Sequence, residues 1–265
     1  MMRKLQVLMG VLLACLISSC GTPKDISYFQ DTWEGDTYGI AQDLDIRLQK
    51  GDKLTIVVHS RDPQLSQMFN LPIASQRVGY TTLTNSNQQM AAYTVSDQGT
   101  IDFPNVGVLT VAGLNRTQVS DLVKKRLTDG DLVKDPVVTV EFDNMFINVL
   151  GEVAKPGRYA ITKDRLTVLD ALGMAGDLTI QGERKFVKVI RHVGETRKAF
   201  TVDLTKLNTI VSSPAYYLQQ DDVVYVDPND YRKRQTTVNG NNARSTSTYI
   251  SLASLLTSIA VLLFK

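Results

Sequence analysis

The sequence has 265 residues, 29 Lys and Arg against 27 Asp and Glu, a formal net charge of +2 and 43 % hydrophobic residues, enough apolar material for one or two compact domains. That charge balance excludes a nucleic-acid partner, because a surface that tracks phosphates needs a clear cationic excess. The two cysteines, Cys15 and Cys20, both lie in the first twenty residues, which excludes a disulfide framework, a thiolate metal site and a cysteine nucleophile from the rest of the chain.

Arg3 and Lys4 precede an apolar run from Leu5 to Ile17, which ends in Ser18, Ser19, Cys20 and Gly21. This pattern predicts a secretion signal over residues 1–19. The small residues before Cys20 resemble the lipobox at which lipoprotein precursors are cleaved and acylated, with palmitate among the chains attached. The alternative is an ordinary signal peptide with a chance cysteine. Loss of the leader takes Arg3 and Lys4 and leaves 27 basic against 27 acidic residues. Gly21 in place of Asp after Cys20 fits outer-membrane sorting as seen in related lipoproteins.

Residues 20–43 are polar and lack periodicity, and read as a lipidated spacer. A first module is expected over residues 44–145. It opens with alternation at Leu44, Ile46 and Leu48, a turn at Lys50, Gly51 and Asp52, and alternation again at Leu54, Ile56 and Val58, which together predict a β-hairpin. Residues 62–90, rich in Gln, Asn, Ser and Thr, read as a long excursion, partly stranded over 78–83. A β region follows over 93–111, with turns at Gly99 and Gly107. Asn115 or Thr117 opens a helix whose Val119, Leu122, Val123 and Leu127 share a face, and Gly130 ends it. Its Lys124, Lys125 and Arg126 read as a solvated face. A strand is expected over 137–142.

A second module is expected over residues 146–228: strands at 146–153, 186–192, 197–202 and 223–226, a turn at Pro156 and Gly157, and a short helix capped by Thr167. Gly151, within the first of these strands, reads as a structural turn residue. Strands with single interposed helices predict an α+β fold of two small modules rather than a doubly wound sheet.

Residues 229–248 form a polar linker carrying Arg232, Lys233 and Arg234, which would meet anionic headgroups or sit in an ordinary solvated turn. Residues 249–265 are apolar up to Lys265 and predict a membrane-spanning amphipathic helix. At about 100° per residue, Ser247, Ser251, Ser254, Ser258 and Lys265 fall on one stripe. Such a stripe lines a watery pore or lets a lone anchor pack closely on a neighbour. A helix of about 24 Å, at about 1.5 Å per residue, is slightly short for a hydrocarbon layer of roughly 30 Å, a mismatch that a thin outer membrane tolerates.

The sequence offers little to an enzyme. His59 and His192 are distant in sequence and each falls in an expected strand, there is no Gly-x-Ser-x-Gly elbow or phosphate loop, and Asp221 and Asp222 read as a turn before a strand. No cofactor and no metal are expected.

Two sets of residues carry a family resemblance. Lys50-Gly51-Asp52-Lys53-Leu54-Thr55-Ile56, with residues 95–107 from Val95 through Asp97, Gly99, Pro104 and Gly107, resembles the N-terminal domain of the outer-membrane polysaccharide export family, the Wza-like proteins. Gly151-Glu152-Val153, Lys155-Pro156-Gly157-Arg158-Tyr159, Thr167 to Leu172 and Ala175-Gly176-Asp177 resemble its β-grasp (SLBB) module. Lys50 stands where the family commonly has Pro, Asp177 where a second Gly is common, and one β-grasp module where larger members have two or more. The resemblance implies a lipid-anchored homo-oligomeric ring, an octamer among its candidate sizes, with its soluble part in the periplasm and its terminal helices forming an outer-membrane pore. The cargo would be a capsular or extracellular polysaccharide. An inner-membrane polysaccharide co-polymerase or tyrosine kinase-type partner would supply the coupling. A glycan-binding or scaffold lipoprotein that does not conduct is the alternative.

Overall fold

A computed structural model describes residues 26–39, 45–70, 92–194, 196–242 and 245–263. In the first module β1 (Lys53–His59) lies between β2 (Ala92–Thr94) and β5 (Val137–Phe142), antiparallel to both. Leu54, Ile56 and Val58 alternate inward and are buried, so the period-two pattern gives one solvent-shielded face. Each such burial contributes roughly 1.5–3 kcal/mol. Helix α1 (Pro63–Phe69) starts with Asp62 accepting the Gln64 amide and Pro63 in the first turn, and it brings Phe69 parallel to Phe103 at 6.4 Å. The hairpin β3 (Thr100–Phe103) and β4 (Gly107–Thr110) turns through Asn105 and Gly107, both at positive φ. Helix α2 (Arg116–Asp129) opens with a reciprocal cap, Asn115 Oδ1 accepting from Gln118 N and Gln118 Oε1 from Asn115 N. It buries Val119, Val123 and Leu127.

The expected opening hairpin does not form. Residues 45–49 are not a strand: the Ile46 amide donates to Asp164 O at 3.1 Å, and Leu48 exchanges backbone bonds with Leu114 and Gly113. Alternating apolar residues fix which side chains go inward but not the strand partner, and β1 takes β2 and β5 instead. The excursion contains α1, and the strand expected over 78–83 lies outside the described residues.

The second module is a five-stranded sheet in the order β10 (Thr196–Val202), β9 (Val187–Val193), β12 (Val223–Val226), β6 (Phe146–Gly151), β7 (Gly157–Ala160). Its pairs are antiparallel except β12 with β6, which run parallel. A two-stranded ladder joins β8 (Leu166–Thr167) to β11 (Tyr217–Leu218). Helix α3 (Val168–Met174) carries the expected cap, Thr167 and Asp170 bonding each other's backbone amides, and turns Val168, Ala171 and Leu172 inward. Gly151, at φ +91°, lies so close to β12 that a Cβ would fall 2.0 Å from the Val226 carbonyl oxygen. Gly157, after Pro156, has no positive φ and open space around it, and it opens β7. Asp177 adopts φ +71°, the conformation that glycine provides without strain.

Residues 26–31 do not behave as a free spacer. The amides of Phe29 and Gln30 donate to the carbonyls of Leu204 and Thr205, and the Asp31 carboxylate accepts the first amides of α4 (Leu207–Val211), Leu207 at 2.6 Å and Asn208 at 3.2 Å. Helix α4 has no side-chain cap of its own, so this strap supplies one. The expected polar linker is also partly folded: α5 (Asp230–Arg234) has Asn229 as its cap, Asn229 N donates to Gln181 O at 2.7 Å, and Arg232 pairs with Glu152 at 3.1 Å. Helix α6 (Thr246–Leu263) follows.

Candidate functional site

Helix α6 contributes no residue to the buried core. Ile250, Leu252, Leu255, Leu256, Ile259, Val261 and Leu262 are all exposed, an apolar surface that the other described residues leave uncovered. Ser247, Ser251, Ser254 and Ser258 succeed one another by three or four residues along it and therefore share one face. Ser258 Oγ donates back to the Ser254 carbonyl at 2.9 Å, so that hydroxyl is held within the helix. Lys265 and Cys20 lie outside the described residues. Among the described residues no helix is long and apolar enough to cross a membrane.

The modules meet across a polar junction. Arg165 Nε contacts Asp45 Oδ1 at 2.7 Å, Asn115 Nδ2 donates to Asp45 Oδ2 at 2.7 Å, and Arg116 Nε stands 3.0 Å from Asp164 Oδ1. Chiefly through Arg165, the Asp45 carboxyl is held below its usual range. These groups border an open cleft of about 360 Å³. On the other side of the junction Asn144 Oδ1 accepts the Lys53 amide, Gln220 Nε2 donates to Asn144 O, and Gln220 Oε1 accepts the Phe146 amide.

Of the turn residues expected from sequence, Gly51 at φ +86° and Gly99 at φ +80° make their turns, and a Cβ on Gly99 would stand 2.7 Å from that of Ala112. Asp52 is more than a turn residue. It is 4 % exposed, its carboxylate accepts the Gln49 amide at 2.7 Å, and burial, with a smaller push from the charge of Asp221, raises its pKa to about 6.

Asp222 is fully buried, and Arg191 grips it from β9 through Nη2 at 2.7 Å and Nε at 3.1 Å, while the Gln219 amide adds a bond at 2.8 Å. Asp221, at φ +63°, makes the expected turn that lets Asp222 face inward. Sequence reasoning found the turn and missed the buried ion pair, since Arg191 and Asp222 are joined only by the register of β9 on β12. It also missed Arg184, 7 % exposed, and the bond from the Tyr28 hydroxyl to Asp177. Burial and that bond drive the Tyr28 pKa upward. His59 and His192 are both exposed, and among the described residues no group of three acidic, His or Cys side chains is arranged to hold a metal.

Comparison with known proteins gives a consistent result. Residues 41–143 match the family described as polysaccharide biosynthesis/export protein, and residues 146–226 match the SLBB domain. The chain is 30 % identical over 202 residues to the EPS I polysaccharide export outer membrane protein EpsA of Ralstonia solanacearum, covering 73 % of this chain and 51 % of that one. It is 29 % identical over 223 residues to the protein of the same description from Ralstonia nicotianae, covering 78 % and 56 % respectively. The chain thus spans about half the length of the curated relatives it matches.

Proposed function

Because this chain belongs to the outer-membrane polysaccharide export family and carries an SLBB domain, we propose that it is a non-enzymatic subunit of an outer-membrane channel that exports a capsular or extracellular polysaccharide. The observation that carries the reading beyond the family is α6, whose apolar residues have no cover among the described residues and whose serines share one face. Lipid or neighbouring copies would cover the apolar surface. A ring of copies would turn the serine stripe, with Lys265, toward a watery lumen, where small hydroxyls bond sugars without a deep well that would stall a moving chain. Over its described residues α6 is about 27 Å long, at about 1.5 Å per residue, and is not by itself long and apolar enough to cross a membrane, so insertion in this reading rests on association of several copies. Lipid on Cys20 would hold the soluble modules at the periplasmic face. Transport is passive in this reading, and an inner-membrane co-polymerase or tyrosine kinase-type partner supplies the energy.

Two experiments test it. An epitope placed after Lys265 should be reached by antibody on intact cells, whereas one inserted at residues 62–90 should need a broken outer membrane; a C-terminal tag reached only after breakage refutes the channel. Replacing Ser251, Ser254 and Ser258 together by Leu should stop export while leaving the protein in the membrane fraction. Unchanged export would favour a scaffold that does not conduct.

A further inference from the structure

Among the described residues the second module buries two charges of opposite sign, Asp222 and Arg184, and of these Asp222 has a counter-ion. Asp222 has Arg191. Arg184 makes one hydrogen bond, from Nη1 to the Gly182 carbonyl at 3.0 Å, and its guanidinium lies 5.6 Å from the centre of the Tyr28 ring. Its Nε is buried without a hydrogen-bond partner, and among the described residues the side chain makes no ion pair. A guanidinium has five N–H donors and does not lose its proton, so burying it with one acceptor leaves the Nε donor unanswered. The planar fork is shaped for a carboxylate.

This guanidinium borders an open pocket of about 280 Å³ built from three segments distant in sequence: the strap, the loop around Gly182, and the start of α5. Ile180 is 71 % exposed and Tyr231 50 %, and with Ile26 they form an apolar wall. Glu183 and Asp230 supply carboxylates on the lining. A bare phosphate or sulfate would answer Arg184 but brings few donors to those two carboxylates and no apolar face to the wall, and an uncharged sugar would leave Arg184 unanswered. A sugar acid suits every part: its carboxylate for the cation, its hydroxyls as donors to the carboxylates, and the C–H face of its ring against Ile180 and Tyr231.

We propose that this pocket is a subsite for one carboxylate-bearing sugar residue, of the hexuronate type. That such residues reach it from the exported polymer rests on the reading above; the binding itself does not.

The test uses the full chain in detergent with labelled isoleucine methyl groups, titrated separately with D-glucuronate, D-glucose and inorganic phosphate. Glucuronate should shift the Ile26 and Ile180 signals saturably, with glucose and phosphate at least about tenfold weaker, the scale set by loss of a charge-assisted bond. Arg184→Gln should abolish the shifts. Because that residue is buried, the exposed Tyr231→Ala serves as the second variant, weakening glucuronate several-fold with an unchanged melting temperature. Equal binding of glucose or phosphate, no saturation with the wild-type chain, or full affinity in Tyr231→Ala would each overturn the subsite. Deleting the gene in the producing cell separates the two readings: secreted polymer at normal levels would sink the export role and leave a glucuronate isotherm intact, whereas a flat isotherm with export lost would sink the subsite alone.

Discussion

Replacing Asp222 by Leu should destabilise the protein far more than replacing Asp222 and Arg191 together. At 2.7 Å and an effective dielectric of about 20 the gross attraction of this pair is about 6 kcal/mol. Desolvation of two ions, side chains 0 % and 12 % exposed, costs several kcal/mol for each. The two nearly cancel, in line with the upward push that burial gives Asp222 despite Arg191. Asp222→Leu alone leaves Arg191 without its anion inside the sheet, which costs about 3–5 kcal/mol, or roughly 6–20 °C in melting temperature for a protein of this size. Adding Arg191→Met removes the stranded charge and leaves the Gln219 amide and the Pro214 and Tyr217 carbonyls short of partners, a residual loss of about 1–2 kcal/mol. Thermal melting of the two single variants, Asp222→Leu and Arg191→Met, and of the double variant, each as the full chain in detergent followed by far-ultraviolet circular dichroism, gives all three values. A double variant as unstable as the sum of the singles would refute the reasoning, because it would mean that the charges do not sense each other.

Asp52→Asn keeps an acceptor for the Gln49 amide and removes the charge. Since the folded pKa of Asp52 is raised to about 6 from 3.8, its ionised form costs stability above pH 6 and the cost vanishes as pH falls toward 4. The variant should therefore melt higher than wild type at pH 7.5, by about 2–3 kcal/mol at most, and equally at pH 4; a constant gap across that range counts against the assignment. Gly151→Ala should unfold the second module or lower its melting point by more than 10 °C, roughly the effect of a backbone clash plus positive-φ strain, and a loss under about 1 kcal/mol in urea titration would contradict the close approach to Val226. Asp31→Ala uncaps α4 and should speed chymotrypsin cleavage at Trp33 and Tyr38 about tenfold, read by mass spectrometry, from loss of about 1 kcal/mol or more of strap docking; unchanged cleavage would mean that the strap is held by other contacts.

The elements most legible in the sequence were those specified locally. The caps at Asn115 and Thr167 and the inward faces of α2 and β1 depend on residues within a few positions of each other, and the structure contains them. Partner choice between distant segments was not legible. The run at Ile46 and Leu48 alternates like a strand yet bonds to Gly113, Leu114 and Asp164, because no local pattern encodes what lies opposite. The strap failed for a related reason: its polar composition suggests a spacer, and only the exposed amides of α4, far along the chain, give Asp31 something to hold. Arg184 had no sequence signal at all, since a buried arginine reads like an exposed one until its surroundings are assembled.

Ile26 of the strap and Tyr231 of α5 line the same pocket, so the strap and the segment that leads to α6 meet the second module at one corner. A pull applied between an anchor ahead of Ile26 and a helix beyond Tyr231 would load that corner in shear, through the bonds of Phe29, Gln30 and Asp31 and through Arg232 on Glu152. The polar junction with the first module lies outside this load path. Such a load would leave the first module, joined through Asp45, Arg165, Arg116 and Asp164, free to shift without straining the strap.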